Sequence, residues 1–198
     1  MKLVLATQNP KKLKEMNEIL SHLGVEVVSE AELGVRIEVE ETGETFTDNA
    51  RLKATAVMQA TGLPAVADDS GLCVDALNGG PGVYSARFGG EGLDDKGRYT
   101  LLLEMLRGQT DRAAHFHTSI VCAFPNGDEL VCEGECPGTI AFAPMGEGGF
   151  GYDPGFFVPE LRKTFGQLTA EEKASVSHRG KALRAFAAAL DDYLKGNE

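Results

Sequence analysis

Short apolar runs alternate with segments of helical period along most of this chain, and that alternation restricts it to a sheet with helices packed on it. Residues 3–6 read as a buried strand, and from Lys11 onward Leu13, Met16, Ile19, Leu20 and Leu23 follow helical spacing. A short strand at 26–29 leads into the acidic loop 38–43. Thr45 or Thr47 caps a second helix running to about Gly62, and the strand 65–67 ends in Asp68-Asp69-Ser70-Gly71. After a Gly/Pro-rich loop at 78–82, Asp94 or Asp95 opens a helix through Leu106. Runs 114–124 and 129–134 flank Pro125-Asn126-Gly127-Asp128, a hairpin signal. A strand at 156–158 follows, then Thr169 with Glu172 as a capping box, and a last helix from Ser177 with Leu183, Phe186, Ala187, Leu190 and Leu194 on one face. The expectation is a mixed α/β fold. With 198 residues and no repeat or linker, residues 1–198 fit one domain, or two small lobes sharing a core.

Two helix starts carry the wrong sign of charge. Thr7-Gln8-Asn9-Pro10-Lys11-Lys12 follows the first strand, and Ser177-His178-Arg179-Gly180-Lys181 opens the last helix. A helix N-terminus presents unpaired N–H groups and partial positive charge, so acidic residues are favoured in its first turn. Basic side chains there suit a bound anion, and phosphate is the anion such ends bind best. Two of them in one chain point to a polyphosphate. The net charge of −11 argues against a nucleic-acid partner and calls for a divalent cation if a polyanion is to bind. No apolar run approaches a membrane span and no signal-peptide layout is visible, so the chain reads as cytoplasmic without a membrane partner. Cys132 and Cys136 lie on one extended run, too far apart for a disulfide, and no CxxC occurs; the four cysteines read as reduced, mostly buried thiols.

Asp68-Asp69, at the carboxyl end of an apolar strand, is the leading catalytic candidate, because ligands of α/β sheets bind beyond such ends. Alternation along a strand sends the two carboxylates in different directions, one to the site and one to support it. Glu40-Glu41 is a second acidic pair, and carboxylates from two segments near phosphate are what Mg²⁺ requires. Gly146-Glu147-Gly148-Gly149-Phe150-Gly151 spells GxGxxG, but Tyr152-Asp153-Pro154 follows instead of a helix, which rules out a dinucleotide fingerprint. Its aromatic residues could face a flat base. Gly92–Gly97 lacks a preceding strand and the P-loop ending, and His115 with His117 lacks a third ligand.

The ordered runs Leu5-Ala6-Thr7-Gln8-Asn9-Pro10-Lys11-Lys12, Glu41-Thr42-Gly43-Glu44-Thr45-Phe46 and Ala67-Asp68-Asp69-Ser70-Gly71-Leu72 resemble the family of inosine triphosphate pyrophosphatases. The series continues with Gly80-Pro81-Gly82-Val83-Tyr84-Ser85-Ala86-Arg87-Phe88, Gly149-Phe150-Gly151-Tyr152-Asp153-Pro154 and Ser177-His178-Arg179-Gly180. These enzymes clear non-standard purine nucleoside triphosphates. The resemblance implies a long central mixed sheet flanked by helices, two lobes with the active site in the cleft, Mg²⁺ dependence and a homodimer. It also implies roles. Thr7, Gln8, Asn9, Pro10, Lys11 and Lys12 form the triphosphate loop; Asp69 is the metal-linked general base, with Glu41 or Glu40 a second metal ligand. Ser70 contacts substrate, Phe150, Gly151, Tyr152 and Asp153 bracket the base, and Lys173, His178 and Arg179 complete the grip. Two positions depart from the family pattern: Gln8 replaces the usual glycine or serine, and Gly155 stands where a bulkier apolar residue is common.

The expected reaction is hydrolysis between the α and β phosphates of ITP, dITP or XTP, with the 6-keto edge of the purine as the recognised feature. A nucleotide sensor without turnover and a pyrophosphatase for another base are the alternative readings.

Overall fold

The structure, a computed structural model, describes residues 1–7, 9–90 and 92–196. Its elements in chain order are β1 (Lys2–Leu5), α1 (Pro10–Leu20), β2 (Glu26–Ser29), α2 (Phe46–Thr61), β3 (Ala65–Val74), β4 (Gly80–Pro81), α3 (Asp95–Met105), β5 (Ala113–Ala123), β6 (Glu129–Ile140), β7 (Phe156–Val158), β8 (Lys163–Thr164), α4 (Ala170–Val176) and α5 (His178–Gly196). The strands form one sheet in the order β2-β1-β3-β5-β6-β7-β8, with β4 on β3. β1 pairs parallel with β2 and β3, whereas β7 pairs antiparallel with β6 and β8. The sheet is therefore mixed and flanked by helices, as the sequence implied. Among the described residues no helix is long and apolar enough to cross a membrane.

The chain forms two compact units. The first comprises residues 1–69, 118–134 and 181–198, the second 70–117 and 135–180. In the first unit β1 is buried on both faces, which is why it reads as a continuous apolar run. Leu3 and Leu5 pack with Met16 and Leu20 of α1 and with Leu183, Phe186 and Leu190 of α5. Val4 faces the other way, toward Val57 of α2. Small residues let α2 lie close on that face, where Ala50 and Ala54 meet Ala67, Val121 and Ala123. The helix is closed at both ends by its own sequence: Thr45 Oγ1 accepts the Asp48 N–H, and Gly62, at φ 68°, donates to Met58 O.

The second unit has a separate core. Leu72, Val74, Tyr99, Leu102, Leu106, Phe116 and Ile140 gather around Phe156 and Phe165. Thr169 and Glu172 form the expected capping box at α4. Gly155 is explained here. A Cβ on it would lie 1.9 Å from the Tyr99 ring, which is buried and donates its hydroxyl to Ala141 O at 3.1 Å. The ring occupies the room that a larger residue would need. Gly155→Ala is expected to lower stability by about 1–3 kcal/mol, through overpacking, without changing the fold; thermal unfolding measures it, and an unchanged midpoint would mean the ring can yield.

Two strands run past their predicted ends. β3 continues from Ala67 to Val74 because apolar residues resume after the acidic pair, with Leu72 and Val74 fully buried. β6 extends beyond Gly134 to Ile140, with Cys136 and Ile140 buried and Thr139 and Ile140 paired to β7. Ser119–Glu133 and His117–Glu135 contacts at 3.1 and 3.0 Å cross between β5 and β6. His117 is thus a cross-strand partner of Glu135. All four cysteines are free thiols, and burial pushes those of Cys73, Cys122 and Cys132 upward in pKa.

Candidate active site

Asp68 and Asp69 lie inside a strand rather than at its end, and the pleat sends them to different partners. Asp68 is buried and accepts from Lys12 Nζ at 2.7 Å. Asp69 faces α2, where Asn49 Nδ2 donates to Oδ2 at 3.2 Å and Lys53 Nζ stands 3.5 Å from Oδ1. The same Lys53 amine donates to Glu41 Oε1 at 2.8 Å, so Glu41 and Asp69 converge on one cationic point. Glu41 is half-buried and Glu40 is exposed. Of the two candidate ligands, the fold brings Glu41 to Asp69.

Burial holds the Asp69 carboxyl above its ordinary pKa; Lys53 pulls it down, Glu41 and Asp68 push it up, and the Asn49 hydrogen bond opposes them. Lys53 moves upward too. Burial disfavours its charge, but Asp69, Glu41 and Asp68 together outweigh that cost. Such a cluster favours a cation. Glu41 and Asp69 supply an all-oxygen pair from separate segments, matching Mg²⁺, which takes one or two carboxylates and leaves its other positions to water and phosphate. Among the described residues no group of three or more His, Cys, Asp or Glu could hold an ion.

At the start of α1, Asn9 is the N-cap, and its side chain accepts the Lys11 N–H at 3.0 Å while Thr7 Oγ1 accepts the Asn9 N–H at 3.2 Å. Pro10 at the first helical position has no N–H to offer. The helix start is therefore largely satisfied by its own side chains, and an anion there has to be held by side chains more than by the free N–H groups the sequence suggested. No acidic residue occupies the first turn. Thr7, Asn9 and Pro10 line a cavity of about 530 Å³ together with Ser29, Glu30 and Arg36. Lys11 is exposed. Gln8, assigned to the phosphate loop, lies outside the described residues.

In the second unit, Ser70 is half-buried within β3. Asp153, 4% exposed, organises the glycine-rich segment: its Oδ2 accepts from Phe150 N at 2.8 Å and from Lys173 Nζ at 2.6 Å. Gly149, at φ 78°, permits this closeness, since a Cβ there would fall 2.0 Å from that oxygen. Gly151 donates to Asp95 Oδ2 at 2.6 Å, and the buried Tyr152 hydroxyl donates to Ser85 O at 2.9 Å, its pKa pushed up to about 12 by burial. Phe150 is left 75% exposed with Lys173 Nζ 4.9 Å from its ring centre. His178 stacks on Phe116 at 4.7 Å and 12°. At this start of α5 the Ser177 hydroxyl accepts the Gly180 N–H at 3.0 Å, and Arg179 is half-buried. The segment that spells GxGxxG is thus a loop carrying an open aromatic face, not the start of a dinucleotide helix.

The structure adds Asn49 and Lys53, which the sequence reading passed over. Their signal was present: they sit four residues apart on the same stripe of α2 as Ala50, Ala54 and Val57, where polar residues have no packing reason to be.

The Ham1 family matches residues 3–189. The chain is 50% identical over 196 residues to a protein of an Exiguobacterium species named dITP/XTP pyrophosphatase, covering 99% of this chain and 100% of that one. It is 53% identical over 194 residues to a Thermus thermophilus protein of the same name, covering 97% and 93%. The solved Staphylococcus aureus Ham1 protein superposes with a TM-score of 0.92 at 41% identity, covering both chains fully. The HAM1 protein from Coxiella burnetii gives 0.93 at 43% identity, covering 97% and 99%. With its motifs in order and the match running nearly end to end, the chain belongs to the Ham1 family.

Proposed function

We propose that this chain is an Mg²⁺-dependent pyrophosphatase that hydrolyses non-standard purine nucleoside triphosphates, ITP, dITP and XTP, to the monophosphate and pyrophosphate. Its role would be to remove deaminated purines from the nucleotide pool. The reading rests on the Asp69 cluster, a partly desolvated carboxylate beside Glu41, Lys53 and Asn49, in a chain about half identical to proteins named dITP/XTP pyrophosphatase.

Asp69 acts as the general base. In the metal-free protein burial holds its carboxyl above its ordinary pKa, the direction a proton acceptor needs. It takes the proton of a water molecule whose oxygen bonds to the α-phosphorus, while the bond from that phosphorus to the α–β bridging oxygen breaks and pyrophosphate leaves. Mg²⁺, when held by Glu41 and Asp69, supplies positive charge to the phosphates. Lys12 and Lys53 add fixed charge in the same unit, the main help that phosphoryl transfer needs. Thr7, Gln8, Asn9, Pro10 and Lys11 complete the phosphate loop. For the purine ring, Phe150 offers its open face, Gly151, Tyr152 and Asp153 fix that loop, and Ser70, Lys173, His178 and Arg179 supply polar contacts. A 6-keto purine satisfies donors that an adenine amine would leave unpaired, a difference of about 1–3 kcal/mol; guanine shares that keto group, so its rejection turns on the 2-position. We further propose that residues 1–198 act as a single catalytic domain, in a cytoplasmic homodimer without nucleic-acid or membrane partners.

Separation of products by ion-pair chromatography tests this. Incubation with Mg²⁺ is expected to give monophosphate and pyrophosphate from ITP and XTP, with ATP and GTP largely untouched. Diphosphate with orthophosphate would move the cleavage site and overturn the mechanism. Binding without turnover would make the chain a sensor.

A further inference from the structure

We infer that Asn49 is a positioning residue, whose buried carboxamide fixes the Asp69 carboxylate and the Glu41 turn to each other. Asn49 has no exposed surface, yet it lies on the stripe of α2 otherwise made by Ala50, Ala54 and Val57. It does not cap the helix, a task that falls to Thr45. Its two polar ends are used in opposite directions. Oδ1 accepts the Gly43 N–H at 2.8 Å, and Nδ2 donates to Asp69 Oδ2 at 3.2 Å.

The turn at Gly43 is pressed against the helix. A Cβ there would meet Asp48 Cβ at 2.6 Å and Asn49 Oδ1 at 2.7 Å, so only glycine lets the backbone come near enough to make this bond. Two residues upstream, Glu41 reaches Lys53, one helical turn beyond Asn49. Both carboxylates are thereby held from one helix, in two ways. The Lys53 ammonium supplies charge, but it is a compact group with rotatable donors that leaves a carboxylate free to turn. A planar amide bonded at both ends sets direction as well as distance. Hydrogen bonds of this kind to a metal-binding carboxylate orient it for its task.

The inference rests on the pyrophosphatase reading. Asn49→Asp and Asn49→Ala separate orientation from scaffolding. The aspartate keeps the acceptor for Gly43 and loses the donor to Asp69; the alanine loses both. Three quantities are measured: kcat and KM on dITP at saturating Mg²⁺, Mn²⁺ binding to the nucleotide-free protein by electron paramagnetic resonance, and cooperative thermal unfolding. Both folded variants are expected to lose kcat by about 10–100-fold with KM within about 3-fold, and Asn49→Ala to bind Mn²⁺ about 10-fold more weakly. A folded variant with kcat within about 3-fold of wild type would overturn the inference, as would Asn49→Asp restoring what Asn49→Ala loses, because the Gly43 bond alone would then suffice. Should Asn49→Asp fail to fold, Asn49→Ala decides by the same limits. Should the wild-type chain not turn over dITP, the functional reading fails by itself, and Mn²⁺ affinity still decides Asn49: weaker binding supports the role and unchanged binding ends it.

Discussion

Asp69→Asn is expected to lower kcat on dITP by about 10³-fold or more, with unfolding stability within about 1 kcal/mol of wild type. The two expectations come from the same geometry. Asparagine keeps the shape and leaves one oxygen to accept from Asn49, but it neither takes a proton at neutral pH nor balances a cation. The folded state gives up little, because burial already disfavours the charged form of Asp69. Steady-state kinetics alongside thermal unfolding separates these effects. Turnover near the wild-type level in a folded Asp69→Asn protein would remove Asp69 from the chemistry.

The second large effect is expected at Lys53. Its amine lies 2.8 Å from Glu41 and 3.5 Å from Asp69, with only a fifth of the side chain exposed. Lys53→Met keeps most of the apolar stem and leaves two carboxylates facing each other without their cation. Stability should fall by about 2 kcal/mol, less than for a fully buried pair because water reaches Glu41. On the proposed mechanism activity should fall by about 10²-fold, since a cation beside the developing phosphate charge is lost. A double-mutant cycle gives the decisive reading: in an Asp69→Asn background the stability cost of Lys53→Met should shrink by about 1 kcal/mol, because the repulsion it exposes is already gone. Additive costs would show that Lys53 and Asp69 do not interact.

Much of this architecture was legible in the residues because local chemistry is repeated there without competition. Thr45 and Gly62 bound α2, Thr169 with Glu172 opens α4, and Leu3-Val4-Leu5 spells a strand buried on both faces. The strand ends at Ala67 and Gly134 were not legible. Acidic residues or glycine and proline interrupt the apolar pattern there, and only pairing with neighbouring strands carries β3 and β6 onward. The helix start at Asn9-Pro10-Lys11-Lys12 was legible as a sign of charge but not as a structure. Asn9 and Thr7 themselves take up backbone N–H groups that the bare pattern left open.

By itself the sequence determined the α/β class, the acidic pair at 68–69, the family resemblance and the failure of the GxGxxG run to be a dinucleotide site. Each depends on residues that are neighbours along the chain. Tertiary structure decided what each carboxylate meets: Asp68 with Lys12, 56 residues away, and Asp69 with Asn49, 20 residues away. It also brought Glu41 to Lys53 and shows why position 155 is glycine. Those outcomes depend on distances between segments that strand pairing and helix packing bring together, and no local pattern encodes them.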